Sequence, residues 1–312
     1  MTRRERAIAA IERRQPDDIV PTFELVYFLG PEKWGVDWMD TNGKTGADYD
    51  RAVHHNAELN VRIAEEYDYS ILRGDPPEMI GIWKKWGLDK DYLLFGEADG
   101  TMSIPNGSDM VQLAVDMREN PKEMHKRLRS GMEGAKKRSR EVAELGADGV
   151  TMCADYCFND GPFLSPNMFR EFVTPYLTEL IAEHHKNGLY AMKHTDGDIM
   201  PILDQMVEAE PDIIHSVDPQ AGVDLAEVFR LYGDKVAFCG NVNCGLLQTG
   251  TDEEVREDVL RSLRDGMAGG GYIFSTSNCA FAGLPLERYE LMMDLRKEFG
   301  RYETACSVGS TS

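Results

Sequence analysis

Ser165-Pro166-Asn167-Met168-Phe169 opens, and Lys186-Asn187-Gly188-Leu189-Tyr190-Ala191-Met192-Lys193-His194 closes, the stretch whose reading decides the fold. A serine before a proline marks a helix start, since the hydroxyl accepts from an early amide and proline loses no hydrogen bond there. Asn187-Gly188 stops that helix at about Lys186, and Leu189 to His194 then reads as a strand. Upstream, Asp148 to Ala154 (Asp-Gly-Val-Thr-Met-Cys-Ala) is another strand. Two strands joined by a helix must run parallel, because the helix carries the chain back to the starting edge.

The alternation continues toward the C-terminus. A helix to about Glu208 leads to a strand from Asp212 to Val217, then a helix from Leu225 to Leu231 and a strand from Val236 to Gly240. Asp252 to Met267 is helical, Gly269-Gly270-Gly271 turns tightly into the strand Tyr272 to Thr276, and Leu286 to Phe299 is the last helix. A phosphate-loop reading of the three glycines fails because they precede a strand and do not open a helix. The N-terminal half is less regular: a helix over Arg3 to Arg14, a strand within Asp18 to Tyr27, a helix over Tyr49 to Tyr67 and a strand from Tyr69 to Arg73. Between Gly74 and Gly107 the pattern breaks, and we expect a hairpin-bearing insertion there.

Seven strands are clear and an eighth is suspected, which predicts an α/β (β/α)8 TIM-type barrel with an irregular N-terminal insertion over its mouth. A doubly wound sheet is the structural alternative. One domain is expected over residues 1–304, with a flexible tail of small polar residues over 305–312.

The chain has 312 residues, and its formal charge of −20, from 54 acids against 34 bases, repels phosphate backbones and anionic lipid. Nucleic-acid and membrane partners are therefore not expected. No long apolar run suggests a membrane span or a signal peptide, and six scattered cysteines fit reduced thiols in the cytoplasm.

In such a barrel the reactive groups sit where strands end. Asp155, Tyr156 and Cys157 follow one strand and His194-Thr195-Asp196-Gly197 the next. His215 and Asp218 come after, then Cys239-Gly240-Asn241 with Cys244, and finally Ser277-Asn278-Cys279. Thiols and imidazoles suit zinc, which in catalytic sites takes three protein ligands and keeps one position open. His194, Cys239 and Cys279 are the candidate ligands, with Asp196 placed to join or orient them. A lone cysteine is more often a small buried hydrophobe, so only the combination points to a metal. Asp155 and Asp196 are candidate acid–base groups, and Tyr156 a substrate-positioning one. His215 would face the barrel interior, and Asp218, just before Pro219, reads best as a cap. His54-His55 and His184-His185 lie within helices and read as packing or surface residues. The tryptophans Trp34, Trp38, Trp83 and Trp86 either line a pocket for a flat ligand or pack the insertion.

At these residues the chain resembles a known family. Thr2-Arg-Arg-Glu-Arg-Ala, Pro16-Asp17-Asp18, Val20-Pro21, Gly161-Pro-Phe-Leu-Ser-Pro166, His194-Thr-Asp-Gly197, Val217-Asp218-Pro219, Gly240-Asn241 and Gly269-Gly-Gly-Tyr-Ile273 are similar in order and spacing to uroporphyrinogen-decarboxylase-like proteins. That resemblance implies the (β/α)8 barrel and two kinds of chemistry, porphyrinogen decarboxylation and corrinoid-dependent methyl transfer. Decarboxylases carry Arg-Gln-Ala-Gly-Arg-Tyr after the first strand to hold substrate carboxylates. Here the stretch is Phe23-Glu-Leu-Val-Tyr-Phe-Leu-Gly30, with Glu24 and no arginine, and Cys279 stands where they place a histidine. The methyltransferase branch holds zinc by a His-x-Cys after one strand and a Cys near the last; His194 and Cys279 match, and Asp196 replaces the middle cysteine.

The resemblance thus implies a zinc-dependent methyltransferase exchanging a methyl group between a small methylated substrate, such as a methoxylated aromatic, or a thiol or pterin acceptor, and a corrinoid (cobalamin). That corrinoid would arrive on a separate corrinoid-binding protein, because no Asp-x-His-x-x-Gly pattern occurs here. The competing expectations are a metal-independent decarboxylase acting on another substrate, with Asp155 or Asp196 stabilising the intermediate, and a non-enzymatic tetrapyrrole-binding barrel.

Overall fold

Helix starts lie where short polar side chains can satisfy free amides. In the computed structural model, which describes residues 1–302, Thr2 and Glu5 cap one another at the helix Arg3–Ile11, and Thr251 with Glu254 does the same for Asp252–Gly266. Ser165 Oγ accepts from the Met168 amide at 3.4 Å, as its place before Pro166 requires. The helix it opens is broken into Pro166–Phe172 and Thr174–Lys186, because Pro175 has no amide to continue the ladder. The expected tail, 305–312, lies outside the described residues.

Among the described residues nine strands follow in chain order: β1 (Ile71–Arg73), β2 (Leu93–Glu97), β3 (Gly149–Met152), β4 (Cys157–Phe158), β5 (Gly161–Pro162), β6 (Tyr190–Thr195), β7 (Ile213–Ser216), β8 (Ala237–Val242) and β9 (Tyr272–Thr276). Seven form one curled parallel sheet in the order β1-β2-β3-β6-β7-β8-β9, and β4 pairs with β5 as a small antiparallel hairpin. The eighth position is filled by the segment around Thr22. The Phe23 amide donates to the Phe274 carbonyl, the Phe274 amide to the Pro21 carbonyl, and the Ser70 amide to the Thr22 carbonyl. Segment 21–23 thus stands between β9 and β1 and closes the barrel.

One expectation is corrected. The stretch 74–107 is no hairpin insertion, since it contains the helix Glu78–Lys85 and the barrel strand β2. β2 escaped the sequence reading because Gly96 interrupts a short apolar run. Its glycine is a packing requirement, as a Cβ there would lie 2.6 Å from Val142 Cγ1 on the helix Pro121–Glu144. That helix and its neighbour Asp109–Glu119 were also unanticipated. The irregular N-terminal stretch is instead residues 35–45, after the short helix Gly30–Trp34. Before β9, Gly270 and Gly271 both take φ of +81°, which bears out the tight turn.

Side chains alternate along each strand, so the barrel interior is layered. Phe23, Ile71, Leu93, Phe95, Ile213 and Ile273 make an apolar layer, joined by Ala7, Ala10 and Ile11 of the first helix. Two residues further along the strands, the same inward phase carries Arg73, Glu97, Thr151, His194, His215 and Ser275. Alternation therefore sets a polar layer on the apolar one, at the end where the loops begin. No described helix is long and apolar enough to cross a membrane.

Candidate active site at the barrel mouth

His194 is next to last in β6 and pairs in register with His215 of β7. Their Nδ1 atoms lie 2.8 Å apart, so one imidazole donates and the other accepts. His215 Nε2 is 3.4 Å from Ser275 Oγ. Burial holds both rings neutral: His215 is pulled down to about 3, and His194 well below its ordinary value by burial together with the positive charge of its neighbours. Neutral imidazole is the form that binds metals. The other nitrogen, His194 Nε2, is 3.8 Å from Asp155 Oδ1. That oxygen is buried with no hydrogen-bond partner, although the Asp155 side chain is half exposed.

Beneath this corner, Lys193 lies on the opposite face of β6. Its Nζ donates to Asp99 Oδ2 at 3.1 Å and to the carbonyls of Met152 (3.2 Å) and Ala154 (2.7 Å). It also sits 4.1 Å from the centre of the Tyr156 ring. Burial favours the neutral form of Asp99, but Lys193 and the amides of Thr101 and Ala154 outweigh it and hold the carboxyl at about 2. The ion pair is thus fully formed at neutral pH. It braces the turn that carries Asp155. Tyr156 is buried, its hydroxyl 2.6 Å from Thr101 Oγ1 and its pKa pushed up to about 12 by burial. It is part of the wall behind Asp155.

Asp196, Cys244, Asn278 and Cys279 line a rim pocket of about 340 Å³. Asn278 Nδ2 donates to Asp196 Oδ2 at 2.7 Å. Burial, reinforced by the charges of Asp155 and Asp218, raises Asp196 to about 6. Burial also pushes the Cys279 thiol to about 12, so without a neighbouring cation it stays protonated. Asp218 Oδ1 accepts from the Gln220 amide at 3.0 Å, the capping role expected of it.

Sequence reasoning grouped His194, Cys239 and Cys279. Cys239 pairs in register with His215 and is fully buried in the interior apolar cluster with Phe23, Ala237 and Ile273, whereas Cys279 lines the rim pocket, whose lining includes neither Cys239 nor His194. Among the described residues no three His, Cys, Asp or Glu side chains stand in ligating geometry. The observation that favours a cation is the unpartnered Asp155 oxygen facing a neutral His194 nitrogen, with Asp196 and Cys279 at the same end of the barrel. Oxygen, nitrogen and sulfur donors of this kind suit zinc.

A second opening, about 450 Å³, lies between segment 24–28, the helix Gly46–Tyr67 and β1. Tyr27, Trp38 and Tyr69 line it, with Glu24 and Arg73. Of the four tryptophans, Trp38 faces this cleft, while Trp83 is fully buried in the core. Arg73 is spoken for: its Nε donates to Thr151 Oγ1 at 3.0 Å and its Nη2 to Glu97. Its charge is thus paired with the Glu97 carboxylate. Lys193, Asp99 and the buried state of Glu24 were not found from sequence. The signal available for Glu24 was an acid where relatives carry arginine.

A family model described as uroporphyrinogen decarboxylase (URO-D) matches residues 101–299. A curated uroporphyrinogen decarboxylase from Pseudoalteromonas translucida (strain TAC 125) is 28% identical over 122 residues, which is 37% of this chain and 32% of that protein. The matched stretch thus spans about a third of that relative's length. A solved methyltransferase from Methanosarcina mazei aligns with a TM-score of 0.74 at 16% identity, covering 96% of this chain and 99% of the other. At that identity the likeness is one of fold.

Proposed function

The chain belongs to the uroporphyrinogen decarboxylase (URO-D) family, and from that premise we propose a zinc-dependent methyltransferase. It would exchange a methyl group between a small methylated substrate, or a thiol or pterin acceptor, and a corrinoid carried by a separate protein. The observation that carries this reading is the unpartnered Asp155 Oδ1 facing neutral His194 Nε2 at 3.8 Å. His194 and Cys279 would hold the metal, with Asp196 and Asp155 as the carboxylate donors and Cys239 left out. When bound, zinc supplies a Lewis acid that lowers the proton affinity of a thiol or draws density from a methyl-bearing heteroatom.

The chain's own residues do the rest. His215 holds His194 by its Nδ1, which leaves Nε2 directed at Asp155. Asn278 fixes one oxygen of Asp196, and both residues line the rim pocket. Lys193 and Asp99 lock the backbone turn beneath Asp155. The fold likeness to a methyltransferase supports this reading. Free thiols at all five described cysteines fit a cytoplasmic setting.

The test is elemental analysis of the purified chain and of Cys279→Ala, followed by methyl-transfer assays with a reduced corrinoid protein. About one zinc per chain, reduced in the variant, is expected. No zinc in either after reconstitution overturns the reading. A decarboxylase remains the second reading, favoured by the name of the curated relative. It predicts carbon dioxide release without any corrinoid.

A further inference from the structure

We infer that Ser216, at the end of β7, is a positioning residue for the rim: its hydroxyl sets the loop 277–279 so that Asn278 meets Asp196 and Cys279 stands in the rim pocket. That this loop carries a metal donor rests on the methyl-transfer reading; its placement by Ser216 does not.

The signal is backbone strain at a strand end. Ser216 takes φ of +103° and Val217 φ of +50°, although both carry a Cβ and Val217 is β-branched. Positive-φ backbone crowds a Cβ against the neighbouring carbonyl, and for a β-branched residue it is a true outlier. Such strain persists only where the surroundings over-determine it. Here they hold it from three sides. The Ser216 hydroxyl donates to the Ser277 carbonyl, and Asn241 Nδ2 donates to the Val217 carbonyl at 2.9 Å. Gly240, opposite Ser216 in register, leaves room for the bend, since a Cβ there would lie 2.3 Å from the Ser216 carbonyl oxygen. Ser216 and Val217 are both fully buried, so water does not substitute for these bonds.

What the bend achieves follows from its neighbours. His215, just before it, holds His194, and Asp218, just after it, lines the rim pocket and caps Gln220. Beyond β9, buried Ser277 is held at both its amide and its carbonyl. The amide donates to the Val242 carbonyl at 2.8 Å, and the carbonyl takes the Ser216 hydroxyl. The next residue, Asn278, donates to Asp196 at 2.7 Å, and Cys279 follows it into the pocket lining. Ser216 thus couples the strand that carries His215 to the loop that carries Cys279. Through Asn278 that coupling extends to Asp196, in the loop after β6. The strained serine is retained for a bond that alignment of the rim requires, and glycine, which suits the backbone better, could not make it.

The test uses the purified full-length chain, stripped of metal by a chelator and labelled in the native state with iodoacetamide. Mass spectrometry reads the labelling cysteine by cysteine. Ser216→Ala removes the hydroxyl and keeps the strain. Ser216→Gly removes both, so it covers the case in which the alanine variant does not fold. Loss of this buried hydrogen bond is expected to raise Cys279 labelling about tenfold in both variants, with Cys153, in the loop after β3, within about twofold of the parent chain. Unchanged Cys279 labelling in both variants overturns the inference. So does a rise that Ser216→Gly lacks, since strain alone would then be the cause. A rise in which Cys153 keeps pace with Cys279 overturns it too, because that is general loosening. Absence of zinc from the chain would sink methyl transfer and leave these labelling results standing, so the two readings fail separately.

Discussion

Replacing Lys193 with methionine removes the cation beneath the His194–Asp155 corner and leaves Asp99 buried without it. Lys193 is fully buried and the Asp99 side chain is 9% exposed, so solvent screens the pair little. Asp99 titrates at about 2 in the folded chain against 3.8 for the free group, and this difference of about 1.8 corresponds to about 2.4 kcal/mol. Because the folded value is depressed, that stability is present above pH 3.8 and is lost as pH falls through about 2. Without Lys193 burial dominates and the sign reverses: the carboxyl is raised, and the variant is penalised most near neutrality, where Asp99 must ionise. Breaking a buried pair from one side costs about 3–5 kcal/mol, so Lys193→Met should lie in that range at pH 7. The assay is urea unfolding followed by circular dichroism and tryptophan fluorescence. Lys193→Met, Asp99→Asn and the double variant would be compared, with the exposed Lys137→Met as control. The double variant should recover at least about half of the loss, because no unpaired charge remains. A Lys193→Met chain as stable as the control, or no recovery from Asp99→Asn, would refute the argument.

Glu24→Gln should change the pH dependence of stability in the opposite sense. A carboxyl raised from 4.5 to about 8 destabilises the folded chain progressively as pH rises through that window, by about 5 kcal/mol at most, and thermal melts of the glutamine variant should lack this decline. In the metal-free chain, Cys279 should react with iodoacetamide about a thousandfold more slowly than an ordinary cysteine, since its thiol stands at about 12 against 9; mass spectrometry after timed labelling checks this. His215→Phe removes the partner of His194 Nδ1 and should lower zinc affinity about 10–100-fold with the fold retained. Competition with a chromophoric chelator measures it, and unchanged affinity would mean that His194 needs no orienting partner.

What could be read from the sequence was local. Ser165-Pro166 and Asn187-Gly188 bracket a helix through neighbouring residues alone, and the βα units after residue 148 were legible for that reason. β2 was not, because Gly96 is explained only by Val142 on a helix that packs against it. The rim was found by the rule that strands end there, so His194, Asp155, Asp196 and Cys279 were all named. Which of them meet depends on register. His194 stands beside His215 because β6 and β7 align at that level, and Cys239 of β8 aligns with His215 but is packed in the apolar cluster of Phe23, Ala237 and Ile273. The state of Glu24 is set by Thr276 and Tyr289, more than 250 positions later, as the separations of 252 and 265 residues record. No nearby pattern could announce it.

The closure of the barrel by segment 21–23 has a consequence for assembly in time. Thr22 bonds Phe274 across 252 positions, and Tyr27 bridges to Ala280. During synthesis this segment leaves the ribosome well before its partners on β9, which follow about 250 positions later. Contacts of such long sequence separation form slowly and late. The segment that completes the sheet also carries Glu24 and Tyr27, so the cleft does not exist until the far end of the barrel has arrived. A nascent chain halted before residue 272 would hold His194 and Asp155 yet lack this cleft and Cys279. Protection of the Phe23 and Phe274 amides from hydrogen exchange would therefore report the moment at which the ring of strands is complete.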